Sequence, residues 1–182
     1  MPSCPTRKRA ARWDGNGWAA LGAGIDGTVL DFVEHEDSLI AVGRFRGGNG
    51  AFSRGVARWT GSGWEALGAG LAREGYAVTV FESQIVAAGP QGSDGNGDPT
   101  SRVVRWDGAN WIPMGSDFGG DVYDLIVFNG ELIAAGYLRY SGATVLENVA
   151  RWNGSAWAPF GTRPLGLVAA MIIHDEIGRA HV

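Results

Sequence analysis

Short apolar stretches alternate with turn residues along most of the chain, and they recur with a fixed period. One set of stretches is apolar throughout and ends in glycine: Leu39–Gly43, Ile85–Gly89 and Leu132–Gly136. A second set precedes these: Val29–Val33, Tyr76–Phe81 and Val122–Phe128. Apolar segments of this length, separated by turn residues, predict β-strands.

Tryptophan marks the other half of the pattern. Two Trp residues, five positions apart, flank a glycine-containing turn in four segments: Ala11–Trp18, Ala57–Trp64, Val104–Trp111 and Ala150–Trp157. The first Trp of each pair recurs after 46, 47 and 46 residues, so the repeat accounts for all 8 Trp. Self-similarity at this period indicates tandem copies of one unit. Each copy holds four strands, which we name A, B, C and D in chain order.

The residue types indicate where each strand lies. Strand B is apolar throughout, as expected of a strand covered on both faces. Strand D carries Pro113 or Pro159 two residues after its Trp, and proline cannot donate to a ladder, so D is predicted to be an edge. The C–D turn carries a glycine, which suits a positive φ. Two registers fit this hairpin, and one of them places Trp13 opposite Trp18.

A four-stranded unit that is apolar on both faces is not stable alone. Leaving one face open would cost several kcal/mol at roughly 25 cal/mol per Å². Repetition every ~45 residues therefore predicts an all-β chain that forms part of a β-propeller, in which neighbouring blades cover these faces. We expect three complete four-stranded antiparallel blades and two half blades. The expected boundaries are a half blade at 10–22, blades at 24–68, 71–115 and 117–161, and the start of another blade at 163–175.

The two ends of the chain depart from the repeat. Residues 1–9 contain a short basic cluster and are predicted to be a disordered or non-native end. Residues 176–182 are similar to the translation of a common sequencing adapter and are predicted to be a non-native tail. We favour a fragment of a longer protein, because Gly178 and Arg179 suit a buried strand poorly. The alternative is that the C-terminal half blade pairs with the N-terminal half blade to complete a fourth blade.

The glycine after strand B and the Ala-Arg-Trp-Asp-Gly-Asn-Gly-Trp segment at 11–18 resemble kelch-type, galactose-oxidase-like propeller repeats. The similarity is closer to the Trp-Asp-Gly repeats of secreted bacterial and fungal surface proteins, including the fungal cortical polarity marker. It covers roughly residues 10 to 175. The resemblance implies an extracellular or cell-surface location, and the expected truncation implies the remaining blades of a longer protein as partners. Single glycines at 43, 89 and 136 depart from the usual kelch pair.

Composition narrows the function classes. The formal net charge of −4 argues against a nucleic-acid-binding protein. Apolar runs are too short to cross a bilayer, so membrane insertion is not expected, and no signal peptide is recognisable. The 30 Gly fit a chain rich in tight turns, and the single Cys4 excludes an internal disulfide framework.

Alternating strand direction places the B–C and D–A connections on one face of the predicted ring. Loops on a rigid scaffold commonly carry binding residues, so we expect a ligand site on this long-loop face. Ordinary solvated loops are the alternative interpretation. The candidate residues are Arg46, Asn49, Phe52 and Arg54 in one B–C loop, and Arg139, Tyr140 and Glu147 in another. This mix of arginine and aromatic residues predicts a protein or carbohydrate ligand.

One loop has the beginnings of a calcium site. Asp94, Asn96 and Asp98 place oxygen-bearing side chains at alternate positions, as calcium loops do. The pattern is incomplete, because Pro99 and Arg105 stand where an EF-hand carries Gly and Glu. A plain polar loop is the preferred interpretation, and calcium is the one cofactor considered.

Asp31 and Asp124 occupy equivalent positions in A strands, where carboxylates could line a central channel and act as an acid/base pair. The alternative is that each accepts hydrogen bonds between blades. His35, His174 and His181 share no spacing, and no catalytic constellation is visible. The sequence thus predicts a non-enzymatic binding propeller. A carbohydrate-active propeller enzyme, with its site in the channel or in other blades, is the alternative.

Overall fold

The structure is a computed structural model that describes residues 10–48, 51–71, 73–89, 92–93, 99–100, 102–161, 164 and 166–173. The fold is all-β, and no helix occurs within these ranges. The strands are β1 (Ala11–Trp13), β2 (Trp18–Ala20), β3 (Thr28–His35), β4 (Ser38–Arg44), β5 (Gly47–Gly48), β6 (Ala51–Phe52), β7 (Val56–Trp59), β8 (Trp64–Ala66), β9 (Ala77–Phe81), β10 (Gln84–Ala88), β11 (Gly92–Ser93), β12 (Pro99–Thr100), β13 (Val103–Trp106), β14 (Trp111–Pro113), β15 (Val122–Phe128), β16 (Glu131–Gly136), β17 (Tyr140–Ser141), β18 (Thr144–Val145), β19 (Val149–Trp152) and β20 (Trp157–Pro159).

Three four-stranded antiparallel sheets follow one another along the chain. Sheet 1 has the order β3-β4-β7-β8, sheet 2 has β9-β10-β13-β14, and sheet 3 has β15-β16-β19-β20. Strands β1 and β2 form a two-stranded sheet, and three further short hairpins lie in the B–C loops. The predicted order A-B-C-D is therefore confirmed, with strand D at one edge of each sheet. These sheets are compatible with the blades that the sequence predicts.

The tryptophan pairs define the register of the C–D hairpins. Trp faces Trp directly across the two strands in all four copies, so the register that the sequence left open is now fixed. The ring centroids lie 5.3–5.6 Å apart with tilted planes, a favourable aromatic geometry. The turn glycines have φ near +100°, a conformation that other residues rarely adopt.

Strand B is the most deeply buried element of each sheet, as predicted. Its central residues Ile40, Ala41 and Val42 have no exposed surface, and the equivalent residues in β10 and β16 are also buried. One hydrophobic cluster joins sheet 1 to sheet 2 through residues such as Val42 and Val78. Another joins sheet 2 to sheet 3. The core thus lies between successive sheets, because each sheet offers an apolar face to its neighbour.

In each of the three four-stranded sheets, the second Trp of the pair also forms a hydrogen bond to the preceding unit. In sheets 1, 2 and 3 its indole N–H donates to a backbone carbonyl that lies just after the preceding strand D. The three bonds are Trp64 to Leu21 at 3.1 Å, Trp111 to Leu67 at 3.2 Å and Trp157 to Met114 at 2.8 Å. Each large ring therefore contributes both buried area and a directional contact that sets the distance between sheets.

Replacing Trp157 by Phe tests this contact. We expect Trp157→Phe to lower the free energy of unfolding by about 1–3 kcal/mol, because it removes the hydrogen bond to Met114 and leaves space beside the smaller ring. Chemical denaturation in dilute solution measures the change. Trp18→Phe is the matched control, because Trp18 holds the same position but is 73% exposed. An equal loss in both variants would contradict the role of the contact.

Candidate functional site

A cleft of about 560 Å³ opens on the long-loop face, beside sheet 1 and the connection to sheet 2. Four arginines and two carboxylates line it together with one buried aromatic residue. The lining residues are Asp26, Arg44, Phe45, Arg46, Arg54, Arg73 and Glu74. Two of the predicted face residues, Arg46 and Arg54, are therefore brought together in one site.

Asp26 fixes the start of the B–C loop. Its Oδ1 atom accepts hydrogen bonds from the backbone N–H groups of Arg46 at 2.9 Å and Gly47 at 3.2 Å. Phe45 anchors the same segment in the core with 6% exposure. The side chain of Arg46 remains exposed while its backbone is held at two points. This arrangement orients a cation on a constrained loop.

The far end of the loop is tied to the connection between sheets 1 and 2. Leu71 donates its N–H to the carbonyl of Arg54 at 2.7 Å, and Arg54 forms a parallel bridge with Gly70. A Cβ at Gly70 would lie 2.5 Å from the Arg54 nitrogen, so only glycine permits this approach. The same connection carries Arg73 and Glu74, which also line the cleft.

Two of the lining residues, Arg44 and Glu74, form an ion pair beside a stacked pair of tyrosine rings. Arg44 Nε lies 2.8 Å from Glu74 Oε2, and the carboxylate raises the pKa of Arg44. The same guanidinium lies 5.9 Å from the centre of the Tyr76 ring, which stacks on Tyr123 at 5.8 Å. Burial is the main cause of a raised pKa at Tyr76, followed by the charge of Glu74. The tyrosine is therefore neutral at physiological pH.

The cleft carries an excess of positive charge. Its arginines, at positions 44, 46, 54 and 73, are all exposed. The Asp26 carboxylate accepts two backbone N–H groups, and Glu74 pairs with Arg44. Both acids are thus engaged within the protein, and the net charge of the lining favours an anionic ligand.

The equivalent junction between sheets 2 and 3 has a different arrangement. Arg102 is drawn inward, with its side chain 12% exposed, and its Nη1 lies 2.8 Å from Asp117 Oδ2. The same nitrogen donates to the carbonyl of Phe118, whose ring packs on Trp157 at 5.1 Å. Here the cation holds the connection in place. The exposed arginines at the junction between sheets 1 and 2 are therefore specific to that junction and are not required by the fold.

The remaining predicted face residues lie elsewhere or outside the described part. Arg139 and Tyr140 belong to the B–C loop of sheet 3 and do not line the cleft; the Arg139 guanidinium lies 6.0 Å from the Tyr137 ring. Glu147 is partly buried beside the same loop. Asn49 lies outside the described residues, and so does the side chain of Phe52, whose backbone pairs with Gly47.

The predicted calcium ligands Asp94, Asn96 and Asp98 also lie outside the described residues, so the calcium site stays a prediction. Within the described ranges, no group of three or more His, Cys, Asp or Glu residues is placed to hold a metal ion.

The two A-strand aspartates accept hydrogen bonds from neighbouring units. Asp31 Oδ1 accepts the N–H of Phe32, and its Oδ2 accepts the N–H of Val78 in sheet 2, both at 2.8 Å. Asp124 repeats this arrangement with Leu125 at 2.8 Å and with Met171 in the following segment. The bonds from Val78 and Met171 are hydrogen bonds between units, which the sequence offered as the alternative to an acid/base pair.

Burial raises the pKa of Asp31, and the negative charge of Asp124 adds to the shift, while the N–H groups of Val78 and Phe32 oppose it. The side chain is partly buried in the row of A strands. A carboxylate with a raised pKa takes up a proton more readily in the folded state than in the unfolded state.

We therefore expect Asp31→Asn to change the pH dependence of stability. In the wild type the contribution of Asp31 is largest below its usual pKa of 3.8 and falls as pH rises through the raised folded-state value. The amide cannot ionise, so the variant lacks this decrease. Urea unfolding across a pH series measures the difference. A wild-type profile in the variant would contradict the assignment.

Asp107→Asn is the control, and its effect on the pH dependence of stability is expected to have the opposite sign. The backbone N–H groups of Asn110 and Ala109 lower the pKa of Asp107, so its contribution is present above 3.8 and is lost as pH falls. Asn153 already holds the equivalent turn in the last repeat, with the N–H groups of Ser155 and Ala156 as donors to its side-chain oxygen. The turn is therefore expected to survive the substitution.

Comparisons with known proteins yield no assignment: no protein-family model matches the chain, and the search of curated proteins gives no match. In the described part of the chain, no helix is long and apolar enough to span a membrane.

The sequence did not single out Arg44, Arg73, Glu74 or the Tyr76–Tyr123 stack. Arg44 directly follows the glycine that ends strand B, and Arg73 and Glu74 lie in a D–A connection that the sequence placed on the same face. The sequence could therefore have predicted that Arg44, Arg73 and Glu74 share the long-loop face. Their common cleft depends on how sheets 1 and 2 are packed.

Proposed function

We propose that the three sheets are successive blades of a β-propeller and that the protein is a non-enzymatic binding module whose ligand site is the arginine cleft. The propeller arrangement is supported by the same inter-sheet tryptophan bond at three junctions and by the aspartate that joins A strands of adjacent sheets. The resemblance to secreted Trp-Asp-Gly repeat proteins supports an extracellular or cell-surface setting.

The ligand class follows from the charge and shape of the cleft. Planar guanidinium groups bind carboxylates through two parallel hydrogen bonds, and the four that line this cleft outnumber its two carboxylates. The volume of about 560 Å³ suits a small group and not a broad protein surface. We therefore propose a carbohydrate that carries carboxylates, such as a segment of uronic acid residues.

The hydrogen bonds that Asp31 and Asp124 accept favour a binding function over a catalytic one. A general acid/base pair needs carboxylate oxygens that reach a substrate. Both oxygens of Asp31 accept backbone N–H groups instead, as do those of Asp124. A carbohydrate-active enzyme remains the second proposal, with its catalytic residues in other blades.

Titration calorimetry with an oligogalacturonate tests the site. We expect the wild type to bind it, and Arg46→Gln and Arg73→Gln each to weaken binding about tenfold, equivalent to about 1.4 kcal/mol. Added salt should weaken binding further, because the site is exposed. Arg12→Gln is the matched control, since Arg12 is an exposed arginine on β1 and does not line the cleft.

A neutral maltooligosaccharide and a polyglutamate peptide complete the experiment. Equal affinity for neutral and acidic sugars would overturn the role of the arginines. Preference for polyglutamate would assign the cleft to an acidic protein segment, the other ligand class that the loop residues predict. Failure of all three ligands to bind would reject the site.

A further inference from the structure

A second cavity, of about 350 Å³, lies between sheets 1 and 2 on the side of the A–B and C–D turns. Sheet 1 contributes His35 and Arg58 to its lining, and sheet 2 contributes Gln84, Trp106 and Asp107. Both sheets have all four strands, so two complete units form the cavity. It shares no residue with the arginine cleft, which opens at the opposite ends of the same strands.

A histidine lines this cavity at a position that the next repeat fills with phenylalanine. His35 ends β3 and Phe81 ends β9, each directly before the two-residue A–B turn. Phe81 is 8% exposed and belongs to the hydrophobic cluster between sheets 2 and 3. His35 is smaller and polar, and its side chain is 17% exposed. The fold therefore accepts an apolar residue here, whereas this repeat carries a polar one, a departure that is typical of binding sites.

Two of the lining side chains have polar atoms that the protein leaves available. In the described part of the chain, the acid within reach of the His35 ring is Glu36, whose Oε1 lies 4.0 Å from Nε2, beyond hydrogen-bond distance. Asp107 accepts the N–H groups of Ala109 and Asn110 on Oδ1, so its second oxygen, Oδ2, is available as an acceptor. The cavity therefore presents an imidazole and a carboxylate oxygen to a ligand.

Donors are available on the same walls. Arg58 is held by Nη2, which lies 3.5 Å from Glu65 Oε2, and its Nε has no hydrogen-bond partner. The side-chain oxygen of Gln84 accepts Nη1 of Arg105 at 3.5 Å, which leaves the amide N–H groups of Gln84 as donors. Donors and acceptors thus lie side by side.

This lining favours an uncharged ligand that carries hydroxyl groups. It contains one arginine and two acids, so it lacks the positive excess of the arginine cleft. Each sugar hydroxyl both donates and accepts, which matches side chains of both kinds. Trp106 is partly exposed and adds apolar surface, on which the C–H groups of a sugar ring can pack. The volume of about 350 Å³ suits a single sugar unit.

We propose that this cavity binds one neutral pyranose unit and is a second site of the protein, separate from the arginine cleft. Arg58 and Gln84 donate to hydroxyl oxygens of the sugar, and Asp107 Oδ2 accepts a hydroxyl proton. Trp106 packs against the C–H groups of the ring. His35 leaves the space for the sugar that a phenylalanine would fill.

Saturation-transfer NMR with the methyl pyranosides of glucose, galactose, mannose and N-acetylglucosamine tests the site. We expect at least one of them to bind the wild type. His35→Phe should abolish its signal, because the larger ring fills the cavity as Phe81 fills the equivalent place. Chemical denaturation should show no loss of stability in this variant. Binding of none of the four sugars to the wild type would overturn the proposal, and so would an unchanged signal in His35→Phe.

Arg58→Gln tests the polar wall without filling the cavity. We expect it to weaken binding of the same sugar about tenfold, because a charged donor is lost. Arg151→Gln is the matched control, since Arg151 is the equivalent residue of sheet 3, pairs with Glu131 at 3.1 Å and does not line the cavity. It should bind like the wild type, and an equal loss in both variants would contradict the proposal.

Titration of His35→Phe with oligogalacturonate separates this site from the arginine cleft. The two sites share no residue, so we expect the variant to bind oligogalacturonate exactly as the wild type does, whatever that affinity is. A variant that changes the response to both the neutral sugar and oligogalacturonate would show a single shared site, and a separate neutral-sugar site would be ruled out.

Discussion

Each four-stranded sheet is apolar on both faces, so the structure depends on neighbouring units that cover these faces. A single four-stranded sheet of this type would leave its Trp, Leu and Ile side chains in water, so each copy requires a neighbour. In sheets 1, 2 and 3 the second Trp of the pair contributes both buried area and a directional bond. Its ring fills the space between units, while its N–H donates to one carbonyl. The glycine beside that carbonyl allows the ring of the first Trp to approach.

The long-loop face is a consequence of this packing. Gly75 donates its N–H to the carbonyl of Gly43 at 3.1 Å, which brings the connection between the sheets directly against the end of β4. Arg44 and Glu74 follow and precede these glycines, so their ion pair is formed where two units meet. The cleft is therefore positioned by backbone contacts of the scaffold, while its charge comes from side chains that the scaffold leaves free to vary.

Sequence differences between the repeats decide which junction between sheets carries an open cleft. The residue just before strand C is Gly55 in sheet 1, Arg102 in sheet 2 and Asn148 in sheet 3, and in each case its carbonyl accepts the N–H of the glycine that ends strand B. The side chains act differently: Arg102 pairs with Asp117, and Asn148 donates to the carbonyl of Gly166 at 2.7 Å. Only the backbone hydrogen bond to the glycine that follows strand B is common to the three repeats.

The sequence by itself determined strands A to D of each repeat, their order in each sheet, the edge position of strand D and the burial of strand B, because these follow from periodicity and from proline and glycine chemistry. It also placed Arg46 and Arg54 on one face. Tertiary structure decided the Trp-to-Trp register, the indole bonds across 43 or 44 residues and the grouping of Arg44, Arg73 and Glu74 with Asp26. These features depend on distances between units, which the local sequence pattern does not encode. The same repeat forms an open cleft at one junction and a partly buried ion pair at the next.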